Sequence, residues 1–215
     1  MNIYDEKEGL LMRKLFLVSL FQNVSGLLKS VEEVKDKTVT YIPTASKVEK
    51  LGFFIRIGKW ALRFSGMKVE ELEISQARFE QIRTTLAKND IIFVAGGNTF
   101  FLLQELRRTG ADQLIIEEVN KGKLYIGESA GAIVACPDIG YSSIMDDPKK
   151  AADLTDYTGL GLVDFYVVPH YQSREFKDSS EQMVQENQAQ KKLAIINDHQ
   201  AIWVWDEGVE ILGKR

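Results

Sequence analysis

The chain has 215 residues, among them one cysteine, Cys136, and only two histidines, His170 and His199. A single cysteine excludes an internal disulfide and any cysteine-rich zinc site, and two histidines argue against a histidine-rich metal centre. No metal or other cofactor is expected. Excess positive charge is also missing: 27 Lys and Arg stand against 31 Asp and Glu, a formal net charge of −4, with neither sign gathered in a long block. A surface for nucleic acid or an anionic membrane needs a basic face, so neither partner is expected. Long hydrophobic runs are lacking too. Leu15 to Phe21 is too short to span a bilayer. Met1 to Leu11 is polar and acidic, where an export signal is basic and then apolar. The chain therefore reads as cytoplasmic, with residues 1–11 a disordered leader or a misassigned start ahead of Met12.

What remains is ordinary globular composition, 45% hydrophobic and 27% charged, in a length that can bury a real core as one domain. Short β-branched and aliphatic runs alternate with helix-like stretches, the pattern of an α/β three-layer sandwich with a mostly parallel sheet. Strands are expected at Leu15–Ser19, Thr38–Ile42, Lys68–Ile74, Ile91–Ala95, Leu124–Gly127 and Phe165–Val168. Helical spacing over Ser75–Lys88 places Phe79, Ile82 and Leu86 on one face, with Ser75 as N-cap, and Thr99–Arg108 and Ala111–Asn120 read as further helices. Val48–Phe64 is helical in period but unusually apolar, and reads as core in preference to a part-exposed face beside a site. Leu193–Ile196, Ala201–Trp205 and Val209–Leu212, with a tight turn at Glu207–Gly208, read as an antiparallel extension of the sheet.

Three segments carry chemistry. In Tyr125-Ile126-Gly127-Glu128-Ser129-Ala130-Gly131-Ala132, an apolar strand runs through Gly-x-Ser-x-Gly into a helix start, the arrangement of a nucleophile elbow. A serine there sits on a strained turn that pushes its oxygen out of the backbone. Gly127 and Gly131 remove side chains where strand and helix pass closely. The helix start aims the Ala130 N–H at the centre where an oxyanion forms. The bland alternative is that Ser129 merely caps the helix. In Ile91 to Thr99, a second strand ends in Gly96-Gly97-Asn98; Gly97 is the candidate second oxyanion donor, and Asn98 either shapes the turn or contacts substrate. In Phe165 to Tyr171, His170 follows a strand and is the candidate general base, preferred to His199 in a polar turn. Asp198 leads as the acid that orients the imidazole because it ends a strand, with Asp146 and Asp147 as alternatives.

The segments Ala95–Thr99, Gly127–Ala132 with Ala135-Cys136-Pro137, and Val168–Tyr171 resemble the peptidase E (aspartyl dipeptidase) family of serine peptidases, in that family's order and rough spacing. The likeness runs from Leu15 to Leu212. It implies a class I glutamine amidotransferase-like fold over residues 12–215 and cleavage of short peptides with an N-terminal aspartate. It also implies Ser129 as nucleophile, His170 as base, and Gly97 and Ala130 as oxyanion donors. The family's acid after the serine could align only with Asp146 or Asp147 across a gap, whereas Asp198 matches the acid of the related cyanophycin-degrading enzymes. For the cation that reads the aspartyl side chain, Arg174 is the best-placed stand-in and Lys177 the next; the alternative has Arg174 on the solvated face of the helix that begins nearby, leaving a pocket lined by Tyr171 and apolar residues. Competing readings are a serine esterase or amidase of other specificity, and a non-catalytic binding protein on the same fold. A monomer or small homo-oligomer acting on a small peptide is expected.

Overall fold

The computed structural model describes residues 13–49, 52–206 and 208–214. The leader expected at residues 1–11 and part of the Glu207–Gly208 turn lie outside them. Among the described residues nine strands run β1 (Lys14–Val18), β2 (Thr38–Ile42), β3 (Lys68–Glu71), β4 (Ile91–Val94), β5 (Leu124–Glu128), β6 (Tyr166–Val168), β7 (Leu193–Ile195), β8 (Gln200–Trp205) and β9 (Gly208–Gly213). Seven of them form one sheet in the order β3-β2-β4-β5-β1-β8-β9. Its first five strands are parallel and β8 and β9 antiparallel. A buried parallel strand must be apolar on both faces. β4, Ile91-Ile92-Phe93-Val94, is fully buried and divides its residues by period two. Ile91 and Phe93 enter a core with α1 (Phe21–Val31) and α2 (Gly52–Phe64). Ile92 and Val94 enter the other, with α3 (Phe79–Lys88), α4 (Thr99–Thr109), α5 (Ala111–Asn120) and α6 (Ala130–Val134). The three expected layers are thus present.

Several local expectations are corrected. Leu193–Ile196 does not extend the main sheet: β7 pairs in parallel with β6 in a separate two-stranded sheet, and only β8 and β9 continue the antiparallel edge. β3 stops at Glu71, and Ser75 caps nothing: its hydroxyl bonds Glu73 in a turn, while α3 begins at Phe79 without a side-chain cap. Ile82 and Leu86 are buried, but Phe79 is half exposed. The sequence reading overlooked α1, which starts three residues after β1 ends. α7 (Lys177–Asn187) lies between β6 and β7.

The helical stretch before Phe64 also departs from a core assignment. Of the expected Val48–Phe64, Val48 ends a 3-10 turn, Thr44–Val48, the helix α2 begins at Gly52, and its described side chains fall on a buried and an exposed face. Ala61 and Leu62 face the sheet, whereas Trp60 is 54% and Phe64 79% exposed, the two rings lying 5.9 Å apart. Truncating the two faces separates the readings. Leu62→Ala is expected to cost about 2–5 kcal/mol through lost burial and an internal void. Phe64→Ala should stay within about 0.5 kcal/mol. Denaturant unfolding of both variants measures the difference.

Candidate active site

The elbow predicted from the sequence is formed. Ser129 has φ 51° and ψ −108°, a conformation that L residues avoid, between the last residue of β5 and the first of α6. The turn is held on three sides. The Ser129 N–H donates to the Val18 carbonyl at 2.8 Å, the Tyr125 hydroxyl donates to the Gly131 carbonyl at 2.6 Å, and the start of α6 packs against β4. That packing explains the second glycine: a Cβ on Gly131 would stand 2.1 Å from the Val94 carbonyl oxygen, a backbone atom that cannot step aside. Ala130 is the first residue of α6, so its N–H has no intrahelical acceptor.

Gly97 reaches the same place from β4. Its φ of +139° suits glycine, and a Cβ there would meet the Ala45 carbonyl group at 2.3 Å. It lines the cavity beside Ser129. Asn98 does not. Fully buried, it caps α4 by accepting the Phe101 N–H at 2.9 Å and donates its amide to the Asp147 carbonyl at 3.1 Å. Both ends of its side chain are engaged in shaping the turn, and it is not on the cavity wall.

His170 comes from the second sheet. It follows β6 at φ 58°, is buried, and stacks on Phe176 with centroids 4.7 Å apart. Its Nε2 lies 2.9 Å from Ser129 Oγ and its Nδ1 2.7 Å from Asp198 Oδ1. With Nδ1 carrying the proton toward the carboxylate, Nε2 is left to accept from the serine hydroxyl. Asp198 is presented by the turn between β7 and β8, where the His199 N–H donates to Asn197 Oδ1. His199 itself is exposed. Ser19, at the end of β1, ties the parts together: its hydroxyl donates to the Asn197 carbonyl at 3.2 Å and accepts the His170 N–H at 2.9 Å. Sequence reasoning missed Ser19, for a serine after a strand carries no distinguishing signal.

The cavity over Ser129 has a volume of about 570 Å³. Ser129, His170, Asp198 and Gly97 line it, as do Arg174 and Glu128, whereas Tyr171 is absent from the wall and has its N–H tied to the Ile196 carbonyl. Lys177 is the first residue of α7 and is also off the wall. Lys150 is engaged by Glu49 at 2.5 Å, so Arg174, exposed and in no ion pair among the described residues, is the cation left facing the cavity. Among the described residues no group of three or more His, Cys, Asp or Glu side chains could hold a metal ion, and no helix is long and apolar enough to cross a membrane.

Of the alternative acids, Asp147 accepts the Lys149 N–H, and Asp146 caps α4 from outside, taking the Thr99 N–H at 3.0 Å and the Thr99 hydroxyl. Burial raises the Asp146 carboxyl above the usual aspartate range, more than the two Thr99 bonds lower it. The folded state therefore binds the proton more tightly than the unfolded chain does. The stabilising contribution is full below the ordinary aspartate value and is lost as pH rises through the raised one. Asp146→Asn keeps an acceptor without the titration. Parent stability relative to that variant should be greatest near pH 4 and decline toward neutrality, as read by thermal unfolding across that range.

A family model described as peptidase family S51 matches residues 17–212. The uncharacterized peptidase Lmo0363 of Listeria monocytogenes is 49% identical over 205 residues, covering 95% of this chain and 99% of that one. Peptidase E of Haemophilus influenzae is 26% identical over 189 residues, covering 88% and 82%. A crystal structure of a candidate peptidase E from Listeria monocytogenes EGD-e superposes with a TM-score of 0.90 at 48% identity, over 95% of this chain and all of the other. A peptidase from an acI-B1 Actinobacterium shares the fold at a TM-score of 0.69 and 19% identity, over 95% and 89%.

Proposed function

This chain belongs to peptidase family S51 and is a serine-type peptidase, and we propose that it hydrolyses small peptides through an acyl-enzyme on Ser129, with His170 as base and Asp198 as the orienting acid. The observation that carries the reading is the unbroken chain of contacts Ser129 Oγ–His170 Nε2 at 2.9 Å and His170 Nδ1–Asp198 Oδ1 at 2.7 Å, built on a strained elbow. The serine oxygen attacks the scissile carbonyl while its proton passes to His170 Nε2. His170 returns that proton to the departing amine nitrogen as the C–N bond breaks, and a water molecule, deprotonated in the same way, then releases the acyl group as a carboxylic acid. Charge collecting on the carbonyl oxygen is met by the N–H groups of Gly97 and Ala130, donors fixed before the reaction starts. A cavity of about 570 Å³ favours short peptides over a threaded chain. The activity needs neither nucleic acid nor membrane, and it suits a cytoplasmic enzyme working as a monomer or small homo-oligomer.

The reading is tested with a fluorophosphonate probe and a turnover series. The parent should label stoichiometrically at Ser129. Ser129→Ala and His170→Ala should each lose at least ~10³-fold in turnover while folding normally, and the double variant should be hardly worse, since members of one catalytic unit are strongly non-additive. Asp198→Asn should also be severe and Asp146→Asn mild. Near-normal turnover by Ser129→Ala, with contaminating hydrolase excluded, would end the proposal.

Substrate preference follows from the cavity-wall cation that is in no ion pair among the described residues. Arg174 is assigned to the side-chain carboxylate of an N-terminal aspartate, which makes aspartyl dipeptides the preferred substrates. Asp-Leu should be cleaved in preference to Ala-Leu and Leu-Leu. Arg174→Ala should shrink that preference by at least about tenfold, the least expected when a cation paired with a carboxylate is removed. A preference that survives the substitution assigns the carboxylate to another residue.

A further inference from the structure

The residue before the nucleophile is out of keeping with its strand. Along β5, Leu124 and Ile126 point to the face covered by α1 and α2 and are buried in its apolar cluster. Glu128 is next in that register, where an apolar side chain would continue the column. Its carboxyl instead accepts the Phe21 N–H at the start of α1 at 2.9 Å and the Gly96 N–H, and it lines the same cavity as Ser129. Capping a helix does not call for it, because a short polar residue at the helix's own start does that ordinarily. Two N–H donors also leave acceptor capacity, since a carboxylate offers about four lone-pair sites. No Lys or Arg among the described residues pairs with it. Burial pushes its carboxyl up, against the smaller lowering effects of the two N–H bonds and of His170. A largely desolvated carboxylate on a cavity wall without a counter-cation gains from one that arrives with a ligand.

We infer that Glu128 receives the α-ammonium group of the substrate's N-terminal residue, so that the site acts on peptides with a free N-terminus. The inference rests on Ser129 being the nucleophile. The reach is right for this group. In the residue whose carbonyl is attacked, the α-nitrogen lies about 2.5 Å from the carbonyl carbon. That carbon approaches the serine oxygen to about 3–3.5 Å, and an ammonium–carboxylate hydrogen bond adds about 2.8 Å. A binding carboxylate must therefore sit within about 8–9 Å of the nucleophilic oxygen, as the side chain of its chain neighbour in a shared cavity can.

The test compares Ala-Leu with Nα-acetyl-Ala-Leu, and Lys-Leu with Nα-acetyl-Lys-Leu, in the parent and in Glu128→Gln, whose amide oxygen still accepts from Phe21. The parent is expected to cleave each free-amine dipeptide at least about tenfold better in kcat/KM than its acetylated form. Glu128→Gln should raise KM for the free-amine dipeptides by a similar factor and erase the discrimination. Equal cleavage of free and acetylated dipeptides by the parent overturns the inference without recourse to any variant. So does an unchanged KM in folded Glu128→Gln, or good cleavage of Nα-acetyl-Lys-Leu, which would assign Glu128 to a side-chain ammonium. Fluorophosphonate labelling of the parent keeps the two readings apart: without labelling at Ser129 the nucleophile assignment fails first, whereas labelling combined with indifference to acetylation removes only the ammonium anchor.

Discussion

The close passage of α6 over the end of β4 is the constraint on which the rest of the site depends. A helix start can lie against the Val94 carbonyl only if Gly131 presents no side chain, and that contact forces the chain to reverse within one residue at Ser129. The cost is a backbone conformation of the kind that runs to about 1–3 kcal/mol, and it persists only because surrounding bonds over-determine it. Here the Ser129 N–H is tied to β1 through Val18, and the Gly131 carbonyl is tied to β5 through Tyr125. Both bonds belong to the core of the parallel sheet. The strain at the serine is thus carried by the most deeply buried part of the fold.

The histidine and the acid do not share that scaffold. They lie beyond β6 and β7, which pair only with each other, and the small sheet must be docked on the large one for Nε2 to reach Oγ. Ser19 does part of that docking, and the Phe176 ring braces the imidazole from the histidine's own segment. One hydroxyl at the end of β1 holds both the His170 backbone and the Asn197 carbonyl, so histidine and acid are referenced to the strand that also holds the elbow. His170 and Gln172, both at positive φ, bend the chain away after β6 and bring Ser173 to Phe176 over the cavity. Ser129, His170 and Gln172, three of the five non-glycine residues at positive φ among the described residues, thus fall at or beside the site, where local strain is commonly stored.

How much of this was legible in the sequence depends on the range of the interactions involved. The elbow was legible because a strained turn and a close approach demand glycines at fixed offsets, and His170 because only two histidines exist. The parallel core strands were legible from their unbroken apolar runs. α1 was not. Its first free N–H is satisfied by Glu128, 107 residues away, so no capping signal at its own start announces it. The pairing of β7 was invisible for a related reason: Leu193-Ala194-Ile195 is apolar whichever sheet it joins, and its partner is decided by tertiary docking. Asn98 was half legible. A polar residue after a glycine turn can cap a helix or face a ligand, and only full burial decides between them.

Charge on the cavity wall bears on which substrates can settle over Ser129. Six carboxylates line it against two cations, Lys150 and Arg174, a balance that on first inspection would repel an acidic substrate. Most of those carboxylates are occupied. Asp198 is held by His170, Asp146 by Thr99, Asp147 by the Lys149 N–H, and Glu49 by Lys150. Glu175 is exposed to solvent, where its field is screened. In the proposed reading, one anion, Glu128, and one cation, Arg174, itself as exposed as Glu175, meet the charges of the substrate. An N-terminal aspartate carries the complementary pair, an ammonium and a carboxylate on one residue, and an alanine carries only the first. Glu128 alone would admit any free N-terminus, and only Arg174 adds a choice among them. On that division of labour, loss of the cation broadens the enzyme while loss of the anion weakens it on every peptide with a free N-terminus.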